Sequence, residues 1–394
     1  MFFRLTLIAL LAFCLLGQAF AAGRPEGSAD SYRIGVYATL TGTGATVGDQ
    51  QMKGIQVALQ EINAAGGIKG RPLELIVYDD AGTPEGAVRA VTRLVESDRV
   101  DVIAGGHLSP NIIATIPYTE PEKILQIGAG AGVTWTNAGH QYLFRATSNA
   151  GQYINTFVDK MVEMGERTTA IISLETEFGQ SSRRAALDTF AGTNIRILAE
   201  ATYQATETDF TGQISRLLAP NPDSVVMLGN SWEMALILRQ LRQQGFNKFV
   251  YTLEGGASTD IVRVGGEFAN GLIFSCAYII PERVELAADE VMRSFLERYV
   301  AMHNELPVSD TAFRGYDQMR LIGIALNNTT DIRNRDANRD AFLRITNHRG
   351  LAGVFDFSPN TGDGLSQANA YMIYNQVSMA FDRATMERWR AAQR

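Results

Sequence analysis

The sequence predicts an α/β protein built on parallel sheets, and three observations support this prediction. Short apolar runs of strand length recur along the chain, as expected of strands buried on both faces. Segments with a helical spacing of apolar residues alternate with these runs. The first run, residues 33–40, leads into a Gly/Thr-rich loop, residues 41–48. Because open α/β sheets bind ligands at the carboxyl ends of their strands, this loop predicts a binding crevice.

The first half of the chain contains four predicted strands with helices between them. Asp49 is expected to cap the first helix, and Gly66 and Gly67 are expected to end it. Thr83 followed by Pro84 is a typical helix start. The predicted strands cover residues 33–40, 73–78, 100–104 and 124–127.

The alternation of strands and helices restarts in the second half. Asp209 is expected to cap one of these helices, with Phe210, Ile214, Leu217 and Leu218 on its buried face. No Pro/Ser-rich or strongly charged linker separates the halves, so we expect two domains joined by close chain crossings. The predicted strands are 169–174, 195–203, 224–228 and 249–252, and the predicted helices are 180–190, 210–218 and 233–244.

The first 21 residues have the pattern of a signal peptide. Arg4 precedes an apolar segment, residues 5–16, and residues 19–21 form an A-x-A cleavage site. The apolar segment is shorter than the roughly 20 residues that span a bilayer. We therefore expect export to the periplasm, cleavage near Ala21, and a processed chain that does not span the membrane.

Composition and motifs argue against nucleic-acid binding and catalysis. The net charge is −7 and the Lys and Arg residues are scattered, whereas nucleic-acid binding needs a concentrated basic surface. The loop at residues 42–48 is not G-x-G-x-x-G, and the chain has no G-x-S-x-G motif. His107, His140, His303 and His348 form no metal-binding spacing. We expect no catalytic residue, no cofactor and no metal, and we interpret His107 as a turn residue rather than a base.

Residues 34–80 carry a family resemblance. GVYATLTGTGATVGDQ followed by EINAAGGIKGRPLELIVYDD resembles the start of the branched-chain amino-acid (Leu/Ile/Val) binding proteins, the type I periplasmic receptors of ABC transporters. The resemblance implies two Rossmann-like lobes with parallel central sheets, joined by a three-crossover hinge near Thr147, Tyr278 and Leu365. It assigns residues 31–147 plus 279–365 to lobe I and residues 148–278 plus 366–394 to lobe II.

The segment AGGHLSPN places Ser109 and Pro110 after a strand, as the N-cap and first-turn proline of a helix. Physical reasoning alone leaves two roles open for Ser109, a cap of its own helix or a binder of a ligand carboxylate. The resemblance implies that Ser109 holds the ligand's α-carboxylate. It also places Val47, in the first loop, where relatives can have an aromatic side chain over the ligand.

The segment GAGAGVTW contributes four further candidates, Gly130, Ala131, Gly132 and Thr134. Alternating glycines let the backbone approach a ligand closely, although they are also typical of a tight turn. The resemblance implies backbone contacts here and a threonine hydroxyl at the position of Gly132. This chain lacks that hydroxyl, and Thr134 is a candidate to replace it.

Lobe II is expected to contribute aromatic and polar ligand contacts. Phe178 keeps an aromatic wall where relatives have tyrosine, and Asn230, Ser231 and Trp232 lie in the next loop. Each also fits a purely structural role in core or helix. Glu254 follows a buried strand, where a carboxylate is costly unless it is paired, solvated or meets a cation. The resemblance implies that Glu254 pairs with the ligand's ammonium group.

These expectations describe an exported receptor that binds a small solute by hinge closure and delivers it to ABC permease subunits. An amino acid with an apolar side chain is the first choice of ligand. The departures at Phe178, Trp232 and Gly132 leave open an aromatic or other carboxylic acid, or an amide. A second alternative is a ligand sensor for a signalling partner. A third, a hydrolase, would need a nucleophile and a base that the sequence does not reveal.

Overall fold

The computed structural model describes residues 31–42, 44–136, 139–278, 280–281, 283–357, 362–365 and 371–374. The expected signal peptide, residues 1–21, lies outside the described residues, as does the expected C-terminal part of lobe II apart from 371–374. Within the described residues, no helix combines the length and apolar character that a membrane crossing requires.

The first lobe is built on a five-stranded parallel sheet with the strand order β2-β1-β3-β4-β5. Its strands are β1 (Tyr32–Ala38), β2 (Leu73–Asp79), β3 (Val102–Gly105), β4 (Gln126–Gly128) and β5 (Leu143–Arg145). Its helices are α1 (Ala45–Ala64), α2 (Pro84–Thr92), α3 (Ser109–Thr119), and, from later in the chain, α9 (Glu290–His303), α10 (Thr311–Asn328) and α11 (Arg335–Leu343).

The second lobe is built on a six-stranded sheet with the order β13-β10-β9-β8-β6-β7, in which only β13 is antiparallel. Its strands are β6 (Thr168–Leu174), β7 (Arg196–Tyr203), β8 (Ser224–Leu228), β9 (Phe249–Thr252), β10 (Leu272–Cys276) and β13 (Tyr371–Tyr374). Its helices are α4 (Ala150–Glu163), α5 (Glu177–Ala191), α6 (Thr211–Leu218), α7 (Ser231–Gln243) and α8 (Thr259–Gly265). A short hairpin, β11 (His348–Arg349) and β12 (Val354–Phe355), follows α11.

The structure confirms the predicted fold class of two α/β lobes with parallel central sheets. Strands 224–228 and 249–252 match their predicted bounds, and Thr83 caps α2 with Pro84 in its first turn. The prediction omitted β5 and β10. The three residues of β5 are too few to give a recognisable apolar run.

The predicted N-caps of helices α1 and α6 are wrong. Helix α1 begins at Ala45 after Gly44, whose φ of 130° favours glycine, and not at Asp49. Asp49 lies inside the helix, where its carboxylate is 2.7 Å from the Nζ of Lys53. Helix α6 has Phe210 at its N-cap, and Asp209, one residue earlier, accepts a hydrogen bond from the backbone of Thr211 at 3.0 Å.

Helices α1 and α10 pack closely through two glycines. A Cβ at Gly54 would lie 1.8 Å from the carbonyl oxygen of Ala312, and a Cβ at Gly315 would lie 2.1 Å from that of Gln51. A larger residue at either position would push the helices apart. This close packing brings the first turn of α10 beside the loops that follow β1 and β3.

Candidate ligand-binding site

A cleft of about 290 Å³ lies between the two lobes. Its walls are the loops that follow β1, β2, β3, β6, β8 and β9, together with the start of α10. The carboxyl ends of both parallel sheets therefore face one crevice, as the fold class predicts. Most of the predicted ligand residues line it, namely Val47, Ser109, Ala131, Phe178, Asn230, Ser231, Trp232 and Glu254.

Ser109 lies in the cleft wall but does not cap its helix. The N-cap of α3 is Leu108, and Ser109 is the first helical residue, so the predicted N-cap role is wrong. The Ser109 hydroxyl oxygen instead accepts a hydrogen bond from the backbone N–H of Gly132 at 2.9 Å. Because a hydroxyl donates one hydrogen bond as well as accepting, the Ser109 proton stays available for a further acceptor.

Gly130 and Gly132 lie beside the cleft and face a buried arginine. Their carbonyl oxygens accept hydrogen bonds from the guanidinium of Arg145, the Gly132 bond at 2.6 Å. The Nε of Arg145 lies 2.5 Å from the carboxylate of Asp363, and its guanidinium stacks over Trp135 at 4.1 Å. Arg145 therefore fixes the glycine loop. A direct ligand contact by either glycine stays a prediction.

Thr134 is likewise not among the residues that line the cleft. Its hydroxyl donates to the carboxylate of Glu177 at the start of α5, so the bond joins the two lobes. Nearby, the backbone N–H of Val133 lies 3.5 Å from the hydroxyl of Ser181. A ligand contact by Thr134 stays a prediction, and the structure gives its hydroxyl an interlobe partner.

The second lobe contributes an aromatic and polar wall. Phe178 is in the first turn of α5. Asn230 is the N-cap of α7, and Ser231 and Trp232 are its first two residues. Strand β6 leads to Phe178, and strand β8 leads to the other three residues. Phe178 and Trp232 give this wall of the cleft an apolar surface.

The charged centre of the cleft consists of Glu254, Arg314 and Asp310. The Nη2 of Arg314 lies 3.4 Å from the Oε1 of Glu254, with the side chains 4% and 8% exposed respectively. Arg314 bonds more closely to Asp310, with Nε 2.8 Å from Oδ2 and a second bond through Nη2. It also donates to the carbonyl of Ala129 at 3.1 Å. The guanidinium is therefore engaged mainly by Asp310.

The buried carboxylate of Glu254 is only partly compensated by its ion pair with Arg314. Its Oε2 is buried and has no hydrogen-bond partner among the described residues. Burial raises the pKa of Glu254 above its ordinary value, although Arg314 opposes that shift. Burial likewise raises the pKa of Asp310. One cation faces two carboxylates, so the cleft is able to accept further positive charge.

Arg314 and Asp310 were missed by the sequence analysis. Both residues lie at the start of α10, outside the strand ends and glycine loops that the motifs highlighted, and Arg314 is distant from Glu254 in sequence. A usable signal was present in SDTAFRGYDQ. An acidic and a basic residue four positions apart lie on one helix face, within a helix that is buried along most of its length.

His107 and Glu233 also line the cleft. Burial lowers the pKa of His107 to about 4. Burial raises the pKa of Glu233 to about 7, against hydrogen bonds that favour its ionised form. Among the residues described by the structure, no cluster of His, Cys, Asp or Glu is arranged to hold a metal ion.

Two α/β lobes with a solute-sized cleft at their facing strand ends define a class of receptors that bind a small solute between the lobes. Residues 31–376 match the family model described as periplasmic binding protein. The chain belongs to the periplasmic binding protein family. This is a family of solute-binding proteins and not of enzymes, and it places the protein in the periplasm.

Curated relatives agree with this assignment. The Leu/Ile/Val-binding protein of Escherichia coli (strain K12) is 32% identical over 269 residues, which cover 67% of this chain and 71% of the relative. A leucine-, isoleucine-, valine-, threonine- and alanine-binding protein of Pseudomonas aeruginosa is 28% identical over 268 residues, with coverage of 66% and 71%.

Solved structures share the fold at low sequence identity. A leucine binding protein LivK from Thermotoga maritima has a TM-score of 0.81 at 21% identity, covering 89% of this chain and 97% of that chain. A solute binding protein from R. palustris in complex with benzoate has a TM-score of 0.77 at 17% identity, covering 88% and 94%. These similarities establish the architecture.

Proposed function

We propose that the protein captures an amino acid with an apolar side chain in its interlobe cleft and delivers it to the permease subunits of an ABC transporter. The observation that supports this ligand class is the buried Oε2 of Glu254, which has no hydrogen-bond partner among the residues that the structure describes. A ligand ammonium would supply this oxygen with a charge-assisted hydrogen bond. The names of the curated relatives support the same class.

The opposite wall offers a match for the ligand's carboxylate. The Ser109 hydroxyl already accepts a hydrogen bond from Gly132 at 2.9 Å, which leaves its proton directed to another acceptor. Ser109 belongs to lobe I and Glu254 to lobe II. A zwitterion held by both residues would therefore join the lobes and stabilise a closed arrangement.

The remaining wall suits an apolar side chain. Val47 of lobe I and Phe178 and Trp232 of lobe II all line the cleft. Burial of a leucine-sized side chain against such a wall contributes roughly 1.5 to 3 kcal/mol. The ligand would then have charged ends held by hydrogen bonds and an apolar portion held by contact.

The proposal includes the division of the chain and its processing. Lobe I comprises residues 31–147 plus 279–365, and lobe II comprises residues 148–278 plus 366–394. Cleavage near Ala21 releases the receptor into the periplasm, where the permease subunits accept its loaded form. Deletion of the gene should lower uptake of the bound amino acid by its host, and unchanged uptake would argue against the transport role.

A ligand panel tests the binding proposal. Protein that has been unfolded, dialysed and refolded to remove bound solute is heated with leucine, phenylalanine, lysine, benzoate or 4-methylpentanoate. A ligand present at 100 times its Kd stabilises the native state by about 2.7 kcal/mol. We expect leucine to raise the Tm most and lysine least. No shift with any amino acid would contradict the proposal.

Two observations favour a second candidate, a carboxylic acid without an ammonium group. Arg314 partly neutralises Glu254 from 3.4 Å, and Gly132 lacks the hydroxyl that the family resemblance implies. If this candidate is correct, benzoate or 4-methylpentanoate will stabilise the protein at least as strongly as leucine does. The same panel therefore separates the two ligand classes.

A further inference from the structure

A chain of hydrogen bonds runs from β4 to the cleft through three side chains. The backbone carbonyl of Ile127 accepts a hydrogen bond from the Nε2 of Gln318. The Oε1 of Gln318 accepts from the Nε2 of Gln51 at 3.0 Å. The Oε1 of Gln51 lies 3.2 Å from the Nδ1 of His107. Both glutamines are fully buried, so the chain is shielded from solvent.

The backbone carbonyl of Ile127 fixes which group donates and which accepts in each of these hydrogen bonds. A backbone carbonyl can only accept, so Gln318 must present its NH₂ to Ile127 and its oxygen to Gln51. Gln51 must then donate to Gln318 and present its own oxygen to His107. It follows that the Nδ1 of His107 carries the proton. In a neutral imidazole the Nε2 is then a lone-pair acceptor.

This acceptor has no partner within the described part of the chain. The Nε2 of His107 is buried and makes no hydrogen bond there, although His107 lines the cleft. Burial lowers the pKa of His107 to about 4, against the attraction of Asp80, so the ring stays neutral near neutral pH. A buried acceptor without a donor is unfavourable, which indicates that a donor is supplied when the cleft is filled.

We propose that the Nε2 of His107 accepts a hydrogen bond from the ammonium group of the bound amino acid, so that His107 and Glu254 select that group together. This inference rests on the proposed function. His107, Glu254 and Arg314 line the same cleft, and the Arg314 charge acts on both of the other residues. An ammonium group has three donors and needs more than one acceptor.

Few other acceptors are free beside this position. One lone pair of the Gly130 carbonyl is engaged by Arg145, and Gly132 has no side-chain hydroxyl. His107 thus supplies an acceptor in addition to Glu254. As a specificity-determining residue, it would discriminate amino acids from carboxylic acids of the same shape.

NMR of the wild-type protein tests the proposal without any variant. In protein labelled with ¹⁵N at histidine, we expect a protonated Nδ1 signal and an unprotonated Nε2 signal for His107. Saturation with leucine should move the Nε2 signal, whereas 4-methylpentanoate, which lacks the ammonium group, should leave it in place. A protonated Nε2, or no change with leucine, would overturn the proposal. Equal shifts with both ligands would show a water or steric effect and would overturn it as well.

Calorimetry of a variant pair provides the affinity test. His107→Phe removes the acceptor but keeps a ring, and we expect about a 10- to 100-fold weaker leucine affinity, the range for hydrogen bonds to charged groups. The matched variant His140→Phe lies away from the cleft lining and should bind like wild type. Unchanged affinity in His107→Phe would overturn this inference alone. Failure of the wild type to bind any amino acid would overturn the proposed function itself.

Discussion

The guanidinium of Arg314 lies 3.4 Å from the carboxylate of Glu254, and this pair connects the two lobes across the cleft. Arg314 is on α10, which packs against α1 of the first lobe, whereas Glu254 follows β9 of the second. Asp310 competes for the same guanidinium at 2.8 Å. The shared cation explains how two buried carboxylates are tolerated side by side in the cleft.

Arg314→Met should strongly destabilise the protein. The substitution leaves Asp310 and Glu254 buried without their cation, and breaking a buried pair in this way costs about 3 to 5 kcal/mol. Urea unfolding near neutral pH measures the loss. Arg335→Met is the matched control, because the exposed pair of Arg335 with Glu122 contributes at most about 1 kcal/mol. Similar losses in both variants would contradict this account.

Arg145→Met should also destabilise the protein, and it should weaken ligand binding. The change removes the donors for the carbonyls of Gly130 and Gly132 and the partner of Asp363, a loss of about 3 to 5 kcal/mol. Arg145→Lys should restore only part of the lost stability and affinity, because an ammonium group cannot reproduce the forked hydrogen bonds of a guanidinium group. Urea unfolding and calorimetry report the two effects. Full rescue by lysine would show that charge alone matters.

Thr134→Val tests whether Thr134 acts between lobes or on the ligand. If its hydroxyl serves the interlobe bond to Glu177, Thr134→Val and Glu177→Gln should weaken ligand affinity alike, by about two- to tenfold. Both should also increase the radius of gyration of the unliganded protein in small-angle X-ray scattering. A loss of affinity confined to Thr134→Val would support the direct ligand contact predicted from sequence.

Glu233 should make stability fall as pH rises. Burial raises its folded-state pKa from 4.5 to about 7, so between these pH values the folded protein holds a proton that the unfolded chain has lost. Stability should drop by up to about 3 kcal/mol across that window and level off above it. Unfolding of wild type and Glu233→Gln at several pH values measures the difference.

In Glu233→Gln, the stability should fall less steeply with rising pH than in wild type. Above the pH range in which Glu233 titrates, the variant should be more stable than wild type. Burial also raises the pKa of Asp317 to about 7. Asp317 therefore lowers stability with rising pH as well, and this effect remains in Glu233→Gln. Glu285→Gln, an exposed control, should follow the wild-type curve. Parallel curves for wild type and Glu233→Gln would show that Glu233 is not buried as a neutral acid.

The sequence predicts the architecture well, because strand and helix signals are local. The strand at residues 224–228 contains four consecutive apolar residues after Ser224, and Thr83 with Pro84 starts a helix by chemistry confined to one turn. The predicted caps at Asp49, Asp209 and Ser109 are wrong. The first fails for a local reason, because Gly44 allows α1 to start earlier, whereas the Ser109 hydroxyl is engaged by Gly132 from another loop.

The charged centre of the site could not be predicted in the same way. Glu254 stands out in the sequence mainly through the family resemblance, and local patterns do not identify its partner on a distant helix. Arg314 reaches it only because Gly54 and Gly315 let α1 and α10 pack closely beside the cleft. The direction of the hydrogen-bond chain to His107 likewise depends on contacts among three separate elements.

The affinity of Glu254→Gln for leucine tests the central claim most directly. Glutamine keeps the size of the side chain but removes the charge that the ligand's ammonium group would meet. Titration calorimetry should show a Kd at least about 30-fold higher than that of wild type, because loss of a buried charged partner costs about 2 kcal/mol or more. Glu285→Gln should match wild type. An unchanged leucine Kd in Glu254→Gln would contradict the account.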